Sequence, residues 1–134
     1  MKFYWDETYS VGVEEMDKQH QNLFNIINDY YDALNKNHSD EILLKLLTKL
    51  KDFTHMHFNE EEKYFKMFQY EDAEMHIMTH RRIIDKIFDY YDQVKSGHKI
   101  HDEEIVTFLE TWLKNHIRGT DKQYKDCFNN CGMI

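Results

Sequence analysis

No proline interrupts the 134 residues of this chain, and glycine occurs only at positions 12, 97, 119 and 132. A chain with so few breakers favours long helices. Apolar residues recur three or four apart over about 18–36, 40–66, 72–95 and 102–117. Two-residue alternation is not sustained anywhere, so no strand is expected. The punctuation agrees with these segments. Residues 1–17 read as a polar and aromatic arm, and 35–40 as a turn with Ser39 or Asp40 capping the second segment. A short break falls near Gln69–Asp72, Ser96-Gly97 is a reasonable C-cap, and Asp102 is placed to cap the fourth segment. Gly119 is expected to end it, with a short terminal helix over 121–130. The expected fold is all-α: an antiparallel up-down-up-down four-helix bundle with an N-terminal arm and a short C-terminal helix. One domain is expected over 1–134.

Composition narrows the function classes. Apolar residues make up 41%, with 2 Trp, 9 Tyr and 9 Phe, which is ample for a core and unlike a disordered acidic chain. No apolar run approaches the roughly 20 residues of a membrane span, and the first ten residues lack the apolar centre of a signal peptide. A net charge of −8 argues against a nucleic-acid binder, which needs a basic face for phosphate. The two cysteines, Cys127 and Cys131, lie near the C-terminus and make neither a disulfide framework nor a cysteine-based zinc site. They are read as two ordinary thiols, with a redox role as the alternative. A soluble, cytoplasmic, monomeric protein is expected, with no membrane or nucleic-acid partner.

Histidine is the unusual component. There are nine, and histidine is the commonest metal ligand. Five fall in register with the apolar stripes. In the first segment, His20 precedes Leu23, Phe24, Ile27, Tyr31 and Leu34. In the second, Leu43, Leu46, Leu50 and Phe53 lead to His57 and Glu61. In the third, His76 and His80 precede Ile83, Ile84, Ile87, Tyr91 and Val94, and in the fourth Ile105, Leu109 and Trp112 lead to His116. Because chain direction alternates in an antiparallel bundle, all five imidazoles fall at the same end of one core. Such a layer of buried polar groups is costly unless something binds it.

Carboxylates complete the inventory. His57 and Glu61 share a face at i,i+4, and so do His76 and His80. Asp121 lies five residues after His116, which on a regular helix turns it about 140° away. A break at Gly119 is expected to swing it back inward. Five imidazoles and two carboxylates exceed a four-coordinate zinc site and suit two ions sharing the carboxylates. The mixture favours iron, manganese or cobalt over magnesium or calcium. It does not follow the Glu-x-x-His pairs of ferritin-like sites.

These residues resemble the hemerythrin family, most closely its stand-alone bacterial members, over nearly the whole chain. The opening Trp5…Val11-Gly12-Val13…Asp17…Gln19-His20 is similar to the family's first motif. His57-Phe58-Asn59-Glu60-Glu61-Glu62 is similar to its H-F-x-x-E-E. Met67…Tyr70…His76…His80 and Trp112-Leu113…His116…Asp121 complete the pattern. The resemblance implies two iron ions bridged by oxo or hydroxo and by Glu61 and Asp121. His76, His80 and His116 would fill one iron. His20 and His57 would hold the other, leaving a position where O₂ binds reversibly without further chemistry on a second substrate. Leu113 would cap that position, with Trp112, Phe24, Phe53 and Ile117 as further pocket lining. The resemblance leaves the electron donor open.

Other classes remain at this point: a peroxidase-like, oxidase-like or nitric-oxide-handling di-iron enzyme, an O₂ sensor acting through a separate partner, and an iron-handling protein. A chain of this length is expected to carry no fused signalling output. His55 is about 200° around the helix from His57 and is expected to face outward. His38, His98 and His101 are expected in exposed loops. The run Glu60-Glu61-Glu62-Lys63 reads as a solvated face except for Glu61, and Tyr30-Tyr31 and Tyr90-Tyr91 as edge and core.

Overall fold

A computed structural model describes residues 3–36, 39–98 and 102–134. Helix α1 spans Glu14–Lys36, α2 Asp40–Met67, α3 Ala73–Lys95 and α4 Asp102–Trp112. A π-helical stretch, Leu113–Thr120, and a 3-10 turn, Asp121–Tyr124, lead into α5, Lys125–Asn130. No strand occurs among the described residues. The architecture is the expected antiparallel four-helix bundle. No helix of the described residues is long and apolar enough to cross a membrane. His38 and His101 lie outside the described residues, as do the side chains of Leu34 and Asp102.

Local chemistry sets most of the boundaries. Ser39 caps α2, its hydroxyl accepting from the Ile42 N–H at 3.2 Å. Ser96 caps the end of α3, and Gly97 follows at φ +85°. Helix α1 starts at Glu14 rather than near residue 18, so the arm is shorter than its sequence suggests. The extra turn is fixed by Asp17, which accepts from the Val11 N–H at 2.8 Å and the Ser10 hydroxyl at 2.6 Å. Acidic residues at 14, 15 and 17 also favour a helix N-terminus, through the helix dipole.

The arm folds back as an aromatic flap. Tyr9 meets Phe24 edge-on at 4.8 Å, and Trp5 meets Phe24 at 5.5 Å. The Arg118 guanidinium lies 3.9 Å over the Tyr9 ring and ties the flap to the π-helical stretch.

Two apolar clusters form the interior. The larger takes Leu23, Ile27, Leu43, Leu46, Leu50, Ile87, Ile105 and Leu109 from the four helices. The smaller gathers Val11, Val13, Met16, Phe65, Tyr70, Tyr124 and Phe128. The stripe on α3 is rotated slightly from its sequence reading. Tyr90 is buried, whereas Tyr91, Ile83 and Ile84 are only half-buried. Tyr30 and Tyr31 are both buried, so neither is an edge residue.

Candidate metal centre

Between the two apolar clusters lies a polar layer. Phe53 and Phe58 of the larger cluster stack on His57 at 5.2 Å and His80 at 3.8 Å. Phe65 and Tyr124 of the smaller one face His76 at 4.7 and 5.8 Å. The layer contains His20, His57, Glu61, His76, His80, His116 and Asp121, none more than 5% exposed. All seven residues singled out from sequence are therefore brought together.

Their donor atoms form two overlapping groups. Glu61, His76, His80, His116 and Asp121 make one, and His20, His57, Glu61 and Asp121 the other, with all donor atoms in a group within 4.8 Å of one another. The two carboxylates belong to both groups. Asp121 Oδ1 lies 2.8 Å from His76 Nε2 and 2.9 Å from His116 Nε2, and its Oδ2 lies 3.2 Å from His20 Nε2. Glu61 Oε1 lies 3.1 Å from His80 Nε2 and 3.5 Å from His57 Nε2.

The distances fit shared cations better than a closed hydrogen-bond network. Asp121 Oδ1 and Oδ2, Glu61 Oε1, and Nε2 of His76, His80 and His116 are all buried without a hydrogen-bond partner, despite their proximity. His20 Nε2 and His57 Nε2 face each other at 3.0 Å. Two nitrogens each about 2.1 Å from one ion, at a right angle, stand about 3.0 Å apart. Buried polar atoms left unpaired are expensive, and a cation at the focus of each group satisfies them.

The far nitrogens are held by partners that sequence reading did not assign. His57 Nδ1 lies 2.6 Å from Gln19 Oε1. His80 Nδ1 lies 2.9 Å from Glu62 Oε2, so Glu62 is not simply part of a solvated face. Such contacts fix the tautomer and leave Nε2 free to bind metal. Tyr124 donates its hydroxyl to Glu61 Oε2 at 2.7 Å. A faint signal existed for the first two, since each adjoins a predicted ligand in sequence. Tyr124 gave none, because it follows a change of helix type.

That change corrects one expectation. Gly119 does not break the helix; its φ is not positive, and the π-helical stretch runs through it. The Asp121 N–H donates to the His116 carbonyl, a five-residue step. The wider turn stacks residues five apart, which aligns Asp121 with His116.

The carboxylates stay charged, while the histidines divide. Burial opposes protonation of His80 and His20, but Glu61 and Glu62 raise the first to about 9 and Asp121 raises the second, so in metal-free protein protons stand where a metal ion would displace them. Burial and the Asp121 charge push the Glu61 carboxyl up, but His57 and His80 outweigh them and bring it down to about 2. Asp121 is held well below the usual carboxylate range: burial opposes this, and His116, His20 and His76 prevail. Burial lowers His57 to about 4, keeping it neutral as a ligand must be. Burial, followed by the Glu61 and Asp121 charges, raises Tyr124 well above its ordinary value, so its hydroxyl keeps its proton.

Leu113, Trp112, Phe24, Phe53 and Ile117 are all buried in the larger apolar cluster. Among them, Phe53 is in contact with His57. His55 and His98 are exposed, as expected. A groove of about 250 Å³ between α3 and α4, lined by Thr79, Ile83, Trp112 and Asn115, reaches the edge of His116.

Comparison with known proteins agrees with this site. Residues 11–128 match the hemerythrin HHE cation binding domain. The chain is 30% identical to a bacteriohemerythrin of Clostridium acetobutylicum, over 92% of this chain and 99% of that one. It is 37% identical to a hemerythrin-like protein of Naegleria gruberi and 34% to a myohemerythrin of Theromyzon tessulatum, each over 92% of this chain and 91% of the relative. A crystal structure of wild-type hemerythrin superimposes with a TM-score of 0.85 at 26% identity, covering 93% of this chain and 96% of that one. With the matched model spanning most of its length and a buried histidine and carboxylate cluster of the type a cation requires, this chain belongs to the hemerythrin family.

Proposed function

We propose that this protein binds O₂ reversibly at a di-iron centre. His76, His80 and His116 would hold one iron and His20 and His57 the other, with the Glu61 and Asp121 carboxylates, which belong to both donor groups, shared between them. The observation that carries this reading is the pair of buried donor groups sharing both carboxylates, with most of their inward atoms otherwise unpaired. Mixed imidazole and carboxylate donors in this number suit iron better than zinc or magnesium. When bound, the iron pair supplies the electrons and the open position that O₂ requires.

The protein's own residues do the rest. One group has three imidazoles and the other two, so the His20 and His57 side is one donor short and is where a small ligand fits. Phe53 lies flat against His57, and Leu113, Trp112, Phe24 and Ile117 supply apolar surface that excludes water. Gln19 and Glu62 orient His57 and His80. Tyr124 holds Glu61 by a hydrogen bond to the oxygen that does not face the histidines.

The test is a spectroscopic cycle. Iron-loaded protein is reduced under inert gas, exposed to air, and flushed again. A colourless reduced form that gains colour in air and loses it under inert gas is expected. Immediate, irreversible conversion to the diferric form would contradict reversible binding.

A further inference from the structure

Of the two donor groups, the His20 and His57 side is the one that a small ligand must reach, and both histidines are buried. The groove between α3 and α4 reaches His116, which belongs to the other group. The N-terminal arm lies on the required side. Tyr9, itself 5% exposed, meets Phe24 edge-on, and Phe24 lies one turn after His20 on α1. The Arg118 guanidinium covers the Tyr9 ring, and Arg118 directly follows Ile117. Tyr9, Phe24, Phe53, Leu113 and Ile117 belong to one apolar cluster. Tyr9 thus bridges the seam between the part of α1 that carries His20 and the π-helical stretch that carries Ile117.

The arm is a strap fixed at both ends. At its start the Phe3 N–H donates to Asn28 Oδ1, and Asn28 Nδ2 donates to the Phe3 carbonyl, both at 2.8 Å. At its end Asp17 holds the Val11 N–H and the Ser10 hydroxyl. Between these anchors, Glu7–Tyr9 form a 3-10 turn that closes on itself. The Asp6 carboxylate accepts from the Thr8 N–H, and the Asp6 carbonyl accepts from the Tyr9 N–H. The turn meets the bundle through the Trp5 and Tyr9 rings and through Arg118, which also lies 3.6 Å from Asp6. Arg118 Nε is buried without a hydrogen-bond partner, and a partly desolvated guanidinium gains more from a ring face.

We propose that the strap formed by residues 5–9, latched by Arg118, is the gate through which O₂ enters and leaves the His20 and His57 side of the centre. The proposal rests on the O₂-binding reading above. One cation–π contact shifts an opening equilibrium by about two- to thirtyfold, so the latch can open while the bundle stays folded. A gate of this kind scales uptake and release by the same factor and leaves the affinity unchanged, because the strap closes over both the bound and the free centre. O₂ carries no charge, so loss of Arg118 acts through the latch and not through electrostatic steering.

Arg118→Ala is compared with the wild type and with Lys114→Ala, which removes an exposed cation from the same stretch. Uptake and release of O₂ by reduced, iron-loaded protein are followed by stopped-flow absorption. In metal-free protein, amide exchange is followed at Thr8, Tyr9 and Ser10 in the strap and at Leu50 in the core. Arg118→Ala is expected to speed uptake and release at least threefold each, with affinity within twofold of wild type. Its strap amides are expected to exchange at least threefold faster, with Leu50 unchanged and Lys114→Ala like the wild type. Faster strap exchange with unchanged O₂ rates would overturn the gate and leave the O₂ site standing. Unchanged strap exchange, or equal acceleration in Lys114→Ala, would overturn the latch. A wild type that takes up no O₂ would overturn the O₂-binding reading and, with it, this proposal.

Discussion

The Asp121 N–H donates to the carbonyl of His116, five residues earlier, and the Asp121 carboxylate turns back to within 2.9 Å of the His116 imidazole. One wide turn of helix thus places a carboxylate against a histidine that a regular α-helix would point away from it. Gly119 lies inside this turn in an ordinary helical conformation, and a Cβ built on it meets nothing within 4 Å. Gly119→Ala is therefore expected to leave two metals per chain and to stabilise the fold by about 0.5–1 kcal/mol. Thermal melts and metal counting check this. Loss of metal in the alanine variant would mean that a glycine-specific bend positions Asp121.

The two exterior histidine contacts have a separable consequence. Gln19→Ala removes the partner of His57 Nδ1, and Glu62→Ala that of His80 Nδ1, with every inward donor kept. Each is expected to weaken metal retention by about 10–100-fold. Chelator competition against the wild type reads this directly. Retention within twofold of wild type would make the contacts incidental.

His55 and His57 lie two residues apart on α2, one exposed and one buried. His57→Ala is expected to abolish O₂ binding, and His55→Ala to leave it unchanged. Visible absorption in air distinguishes them. Equal effects would contradict the placement of His57 on the inward face.

Metal-free protein should show a bell-shaped stability profile. Burial holds folded His57 at about 4 against an ordinary 6.5, so the folded state resists a proton that the unfolded chain accepts. Stability from this group falls as pH drops from 6.5 toward 4. His80 runs the other way. Burial opposes its charge, but Glu61 and Glu62 raise it to about 9, so its contribution is present below 6.5 and is lost as pH rises through 9. Together they place the maximum near pH 6.5. Thermal melts of chelator-treated protein across this range test it. A midpoint still rising at pH 9 would contradict the His80 assignment.

How much was legible in the sequence follows from what kept helical phase. Leu43, Leu46, Leu50, Phe53 and His57 recur on one α-helical face and are all buried, so the bundle and the histidine layer could be read by counting. Counting fails where the helix type changes. After Leu113 the turn widens and then tightens to 3-10, so nothing in the spacing brings Tyr124 to Glu61. Glu62 and Gln19 escaped for another reason. Their roles depend on contacts with a neighbouring helix, Glu62 to His80 on α3 and Gln19 to His57 on α2, which no single-helix stripe reveals.

The central claim is that these seven side chains make two cation sites sharing two carboxylates. Metal-free protein titrated with ferrous iron under inert gas, with bound iron counted per chain, tests it most directly. Saturation at two irons, falling to at most one in Asp121→Ala, is expected. Saturation of the wild type at one iron or fewer would contradict it.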